Sequence, residues 1–255
     1  MIMKPRNPWI AHRTGTPEAR VRLFCFPHAG GSAAAYRGWS RYLPRHVELC
    51  PIELPGRKQR WAEAPHRSCG QLARAIASAI QPELDRPFVF FGHSLGSLLA
   101  FEVARDLRRH GERIPRHVYV SARRAPQHRI EGELLHQLPD DRMVDLLSRL
   151  YGAIPPSIAA EPDLLKPLLE ALRADLEIHE TYDHRPEAPL PCPISTLGGT
   201  SDRLVTMEQL RAWREQTAGP FVLKLFDGGH FYLREHERAV VQLVAADMEE
   251  AAAAA

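Results

Sequence analysis

Residues 88–96 read Phe-Val-Phe-Phe-Gly-His-Ser-Leu-Gly and lead into a segment with helical periodicity at 97–109. Four consecutive apolar residues predict a strand that is covered on both faces of a sheet. The G-x-S-x-G pattern at 92–96 is typical of a tight strand-to-helix turn that projects a serine hydroxyl outward. We therefore predict that Ser94 is a nucleophile. A turn serine without a catalytic role is the alternative.

Other β-rich runs lie on both sides of this stretch. They occupy 21–26, 47–52, 117–121, 194–197 and 221–226, and segments with helical periodicity lie between most of them. Such alternation predicts a mostly parallel sheet with crossover helices on both faces. Together with the serine turn, it predicts the α/β-hydrolase fold.

One connection is too long for this pattern, because about 70 residues separate the run ending at 121 from the run starting at 194. Ordinary connections in α/β domains are far shorter. Apolar residues at helical spacing in 143–150 and 164–172 predict a helical lid insertion at about 127–190, and two ordinary surface helices are the alternative. We predict a single domain over residues 1–250, followed by a low-complexity tail at 251–255.

A serine nucleophile needs a histidine base, and the histidine needs a carboxylate that fixes its tautomer. In this fold the chain order is serine, acid, histidine. Asp202 follows the run at 194–197, and His230 follows the run at 221–226. Strand ends of a parallel sheet meet at one edge, so we predict Asp202 as the acid and His230 as the base. Asp227 is a weaker candidate for the acid, because it shares a loop with His230.

The loop after the first run has the composition of an oxyanion hole. Residues 26–32 read Phe-Pro-His-Ala-Gly-Gly-Ser, a glycine-rich stretch suited to presenting backbone N–H groups. We assign the two donors to Ala29 in this loop and to Leu95, the residue after the nucleophile. A phosphate cradle is the alternative, but the loop lacks the P-loop lysine and the G-x-G-x-x-G spacing.

Composition excludes several other classes. The chain has 33 basic and 31 acidic residues, a balance that implies no nucleic-acid partner. Apolar runs are too short for a membrane helix, and the N-terminus lacks the apolar run of a signal peptide. The four cysteines are scattered without a C-x-x-C pair, so we expect no metal site, no disulfides and a cytoplasmic location. They are Cys25, Cys50, Cys69 and Cys192.

Five blocks of the sequence together resemble the type II thioesterases of modular polyketide and nonribosomal peptide synthetases. The blocks lie at 24–32, 53–57, 92–96, 172–175 and 228–231, in the order of that family. The resemblance spans nearly the whole chain. One departure is Glu53, which stands where many members carry glutamine.

This resemblance implies hydrolysis of acyl groups, stalled or aberrant, from the phosphopantetheine arm of acyl or peptidyl carrier proteins. It implies a catalytic triad of Ser94, Asp202 and His230, and no cofactor, because the substrate itself brings phosphopantetheine. Arg173 and Asp175 would belong to the lid, with no role assigned. A general carboxylesterase or lipase is the main alternative, and a non-catalytic hydrolase-fold binding domain is a weaker one.

Two basic runs suggest how a carrier protein could dock. Arg57, Lys58 and Arg60 follow the second predicted strand, and Arg123 and Arg124 follow the fourth. The resemblance implies an acidic carrier, which an exposed basic rim would attract. The alternative is that these are solvated surface charges, as charge runs usually are.

Overall fold

The computed structural model describes residues 7–14, 16–130, 132–151 and 161–253. Its strands are β1 (Val21–Phe26), β2 (Val47–Pro51), β3 (Phe88–His93), β4 (Val118–Ser121), β5 (Ile194–Gly199) and β6 (Phe221–Phe226). They form one six-stranded sheet in the order β2-β1-β3-β4-β5-β6, and every neighbouring pair is parallel. The predicted α/β-hydrolase fold is confirmed. Every predicted strand is present, with ends that differ by at most two residues.

Helices cover both faces of the sheet. They are α1 (Cys69–Ile80), α2 (Leu95–Arg109), α3 (Asp140–Tyr151), α4 (Pro162–Thr181), α5 (Met207–Arg211) and α6 (Glu237–Ala253). Short 3-10 turns lie at Ala33–Arg41, Lys58–Arg60, Gln81–Glu83, Leu135–Gln137, Ala212–Gln216 and Tyr232–Arg234. Among the described residues, the helices α3 and α4 lie between β4 and β5, within the interval predicted for the lid. The rest of that interval at 131 and 152–160, the start of the predicted domain at 1–6, residue 15, and Ala254 and Ala255 of the predicted tail lie outside the described residues.

Alternating side chains of the central strands build two cores. Phe24 and Phe90 point to the face covered by α1 and α2 and pack edge to face, with ring centroids 5.8 Å apart. Leu23 and Phe91 point to the other face, which α6 covers. Burial of each large side chain stabilises the fold by about 1.5–3 kcal/mol. Because both faces are buried, the central strands are continuously apolar, as the sequence predicted.

A third apolar cluster belongs to the lid. Met143 of α3 packs with Leu169, Leu172 and Leu176 of α4, and Ala29 from the loop after β1 contacts the same cluster. Spacings of three and four residues place the α4 leucines on one face of that helix. The two lid helices therefore pack against each other and onto the carboxyl edge of the sheet.

Arg173 fastens α4 to the segment that precedes α3. Its guanidinium donates to the backbone carbonyls of His136 and Leu138 and pairs with the Asp140 carboxylate. A planar guanidinium can make all three contacts at once, because its N–H groups form a fixed fork. Arg173 is thus an anchor within the lid, a role that the sequence alone did not reveal.

All four cysteines are free and buried. Burial raises the pKa of each thiol, to about 11 at Cys192 and well above its usual range at Cys25, Cys50 and Cys69. In the part of the chain that the structure describes, no helix is both long enough and apolar enough to cross a membrane.

Candidate active site

Ser94 lies on a strained turn between β3 and α2. Its backbone has φ 53° and ψ −115°, a conformation that residues other than glycine rarely adopt. The Ser94 N–H donates to the carbonyl of Ser121 at the end of β4, at 2.8 Å. The Ser97 hydroxyl accepts the Ser121 N–H at 2.9 Å and lies 2.8 Å from the carbonyl oxygen of Gly92. These bonds to a neighbouring strand hold the serine in its strained conformation.

The two glycines of the turn allow backbone segments to approach closely. A side chain at Gly92 would collide with the carbonyl oxygen of Gly96, and one at Gly96 would collide with the carbonyl oxygen of Phe26. This contact places the first turn of α2 directly against the end of β1. The residue after the nucleophile and the loop after β1 therefore meet at the same point of the sheet edge.

Asp202 and His230 are joined by a hydrogen bond, although 28 residues separate them. The Nδ1–H of His230 donates to Asp202 Oδ2 at 2.9 Å, and the other carboxylate oxygen accepts the Leu204 N–H at 2.8 Å. The side chain of Asp202 is only 1% exposed. A carboxylate can only accept, so in the neutral imidazole the proton lies on Nδ1 and Nε2 keeps its lone pair. The pair has the geometry of a base and its orienting acid.

Asp227, the weaker candidate for the acid, lies elsewhere in the loop. Its side chain is exposed, and its backbone carbonyl accepts a hydrogen bond from Nε2 of His236 at 2.9 Å. The structure therefore joins Asp202, and not Asp227, to His230.

The two predicted oxyanion donors also lie at this edge. Leu95 is the first residue of α2, a position whose N–H has no acceptor within the helix. Over residues 7–14, 16–130, 132–151 and 161–253, neither this N–H nor that of Ala29 donates to another group of the chain. The N-terminal end of a helix also carries partial positive charge. Both N–H groups remain available to a negatively charged oxygen.

Two further histidines, His28 and His93, lie beside His230, and the sequence did not single them out. The ring centroid of His93 lies 5.4 Å from that of His230 and 6.0 Å from that of His28. Burial, helped by the charge of Arg234, lowers the pKa of His28 to about 4 and holds the pKa of His93 well below its usual range. Both rings are neutral at pH 7. In the sequence, only their positions inside the 24–32 and 92–96 blocks indicated that they lie near the site.

A cavity of about 860 Å³ opens beside His93. His28, Arg57, Leu168 and Phe231 line it, and Trp61 stands at its edge, 68% exposed. Since Leu168 belongs to α4, the lid helix forms one wall. Predominantly apolar walls with a few polar groups are typical of ligand sites. Among the described residues, no cluster of histidine, cysteine and acidic side chains is arranged to hold a metal ion.

The predicted basic docking rim is largely wrong. Arg57, Arg60 and Arg123 are buried, because each neutralises or contacts a partner inside the protein. Those partners are the Asp175 carboxylate, the backbone carbonyl of Glu53 and the His179 ring, respectively, and Arg60 also pairs with the exposed Glu63. Lys58 is exposed, and Arg124 is half-buried and donates to backbone carbonyls. Most of these arginines therefore hold loops together and do not face solvent.

A family model described as "Thioesterase domain" matches residues 21–248 of the chain. This chain belongs to the thioesterase family. The predicted family is confirmed, and so is the predicted enzyme class, a serine hydrolase that acts on thioesters.

Individual relatives support the assignment. The thioesterase is 38% identical over 238 residues to gramicidin S biosynthesis protein GrsT from Aneurinibacillus migulanus, covering 93% of either chain. It is 42% identical over 229 residues to thioesterase PikA5 from Streptomyces venezuelae, covering 89% of this chain and 80% of the relative. Its structure resembles that of the type II thioesterase BorB from the borrelidin biosynthetic cluster, with a TM-score of 0.84 and 36% identity. The superposition covers 96% of this chain and 97% of BorB.

Proposed function

We propose that this thioesterase removes stalled or aberrant acyl groups from the phosphopantetheine arm of acyl or peptidyl carrier proteins. The observation that carries the proposal is the Asp202–His230 hydrogen bond, made at the sheet edge where Ser94 stands on its strained turn. Relatives named for gramicidin S and borrelidin biosynthesis support carrier-bound substrates. The likeness to type II thioesterases favours hydrolysis over transfer to another acceptor.

The chemistry proceeds in two halves. His230 takes the proton of the Ser94 hydroxyl, and the oxygen attacks the thioester carbonyl. The N–H groups of Ala29 and Leu95 bind the oxyanion. The C–S bond then breaks, His230 gives its proton to the departing thiol, and an acyl ester remains on Ser94. Water, deprotonated by His230, attacks this ester. The bond between the acyl carbon and Ser94 Oγ breaks, His230 returns the proton to Ser94, and the free acid leaves.

We further propose that the reaction needs no cofactor or metal, because a serine and a histidine carry every proton and bond change above. The cavity beside His93 is wide enough for an acyl chain or a pantetheine arm, and its wall on α4 makes the lid part of the binding site. The neutral rings of His28 and His93 add no charge to its lining, which includes Arg57 and Arg234. The four reduced, buried thiols agree with a cytoplasmic location.

The test compares wild-type protein with Ser94→Ala on carrier proteins loaded with a panel of acyl groups, with released acid measured by mass spectrometry. We expect Ser94→Ala to lose nearly all turnover, and intact-mass analysis of the wild type to detect an acyl adduct on Ser94. Ser40→Ala, the same change at an exposed serine, is the control and should behave as wild type.

Two outcomes would contradict the proposal. Retention of more than about a tenth of wild-type turnover by Ser94→Ala would remove Ser94 from the mechanism, since loss of a triad member costs orders of magnitude. Faster hydrolysis of simple carboxylic esters than of carrier-bound thioesters would favour the general esterase instead.

A further inference from the structure

The lid helix α4 reaches the oxyanion loop through one buried carboxylate. Asp175 is 2% exposed, and its Oδ2 accepts the Gly30 N–H at 2.7 Å. The same oxygen pairs with the Arg57 guanidinium, which also donates to the carbonyl of Pro55 at 3.0 Å. Asp175 thus joins three segments that are far apart in the sequence: α4, the loop after β1 and the loop after β2.

The bond falls on the residue next to an oxyanion donor. Ala29 and Gly30 share a peptide unit, and Gly30 has a φ of 69°, so the direction of the loop changes sharply here. Leu172 of α4 approaches within 3.0 Å of where a Gly30 side chain would begin, and Ala29 packs against the lid leucines. Contacts with α4 therefore set the conformation of the loop.

We propose that Asp175 is a positioning residue: it holds the loop in the conformation that presents the Ala29 N–H to the oxyanion. The inference rests on the proposed function and adds a dependence of turnover on the lid. When α4 moves, the charge-assisted bond to Gly30 lengthens, and one of the two oxyanion donors is misplaced. Displacements of about 1 Å at such a donor cost about 100-fold in rate.

A purely structural ion pair is the competing explanation, and a neighbouring residue argues against it. Arg173 already anchors α4 to the segment before α3, without contacting the oxyanion loop. Residues two positions apart point to different sides of a helix. Glu180 is a second such anchor, since its carboxylate accepts the N–H groups of Leu135 and His136. The helix therefore has anchors for its own position besides Asp175, whose carboxylate contacts the loops after β1 and β2.

The experiment measures Asp175→Ala against Glu177→Gln, a matched control on the same helix that weakens a surface ion pair with Arg67. Active sites are counted by titration with a fluorophosphonate, so that rates refer to folded, reactive enzyme. The measured quantities are kcat and KM for an acyl-pantetheine thioester, and Ki for the matching trifluoromethyl ketone. That ketone forms a tetrahedral adduct whose oxygen occupies the oxyanion position.

For Asp175→Ala we expect kcat per titrated site to fall about 10- to 100-fold, with KM changed less than about threefold. Ki of the ketone should rise by the same factor as kcat falls. Glu177→Gln should leave all three quantities unchanged. A general loss of structure would reduce the titrated fraction of the protein without changing kcat per site or Ki. A lower titrated fraction with unchanged kcat and Ki would therefore overturn the proposal.

Asp175→Asn serves as the second variant if the alanine protein does not fold. Its side-chain oxygen can still accept the Gly30 N–H, but it lacks the charge that pairs with Arg57. We expect a smaller, parallel change in kcat and Ki, whereas wild-type values per site would refute the positioning role. Failure of the proposed function has a different signature, namely activity retained by Ser94→Ala.

Discussion

The sharpest test of the proposed chemistry is Asp202→Asn, because the change replaces one carboxylate oxygen and leaves the shape intact. Both oxygens are occupied, one by the Leu204 N–H at 2.8 Å and one by His230 Nδ1 at 2.9 Å. If the asparagine oxygen keeps Leu204, its NH₂ group faces Nδ1 and forces the imidazole proton onto Nε2. If the amide is flipped, two donors face each other at Leu204.

The first arrangement removes the lone pair that accepts the serine proton, and the second leaves a buried N–H unsatisfied. We expect kcat to fall about 10⁴-fold, by analogy with other triads in which the acid becomes an amide. That loss corresponds to about 5.4 kcal/mol of transition-state stabilisation. KM should change little, because Asp202 lies behind His230 and has no direct contact with substrate in the proposed mechanism.

The assay is thioester hydrolysis per active site, with thermal unfolding measured in parallel. Asp227→Asn is the matched control: the substitution is the same, three residues before His230, but the side chain is exposed. It should retain activity within about threefold of wild type, as surface changes usually do. If Asp227→Asn lost more activity than Asp202→Asn, our assignment of the acid would be refuted.

Two further predictions concern the fold. Burial raises the pKa of the Glu53 carboxyl, although the hydrogen bond from the Ala33 N–H opposes this shift. The protonated carboxyl therefore contributes folding stability that is fully present below the unfolded pKa of about 4.3. This contribution is lost as the pH rises through the folded pKa. Glu53→Gln should therefore raise Tm by about 1–4 °C at pH 7 and by almost nothing at pH 4, and an equal gain at both would contradict this. Gly96→Ala should destabilise by about 3 kcal/mol or more in denaturant titrations, because its side chain meets the Phe26 carbonyl. Gly70→Ala, at an open position early in α1, should be neutral or slightly stabilising, and a similar loss there would show that steric overlap is not the cause.

Much of the site could be predicted because its signals are local. The serine turn is encoded by a strand, two glycines and a helix within 22 residues of sequence, 88–109. Asp202 and His230 were found because each follows a strand, and strand ends share one edge of a parallel sheet. Asp202 was preferred to Asp227 because Asp227 shares a loop with His230. None of these inferences required knowledge of a distant contact.

The rest depends on pairings that a single sequence does not display. Arg57 and Asp175 are 118 residues apart, and nothing local predicts that they meet. For the same reason, Arg60 and Arg123 were expected at the surface. The Arg60 guanidinium stacks on the ring of Trp9, far away in the sequence, and Arg123 contacts His179, 56 residues later. Burial of an arginine is decided by its partner, and the partner is a property of the fold.

The four free, buried thiols of this enzyme can report where its structure opens locally. Cys25 lies in β1, Cys50 in β2, Cys69 at the start of α1 and Cys192 just before β5. A thiol that is buried and protonated reacts with alkylating reagents only while its surroundings are transiently exposed. The alkylation rate at each position therefore measures how often that region opens. The unmodified chain thus offers four separate reporters, in β1, β2, α1 and the segment before β5, without the introduction of a label.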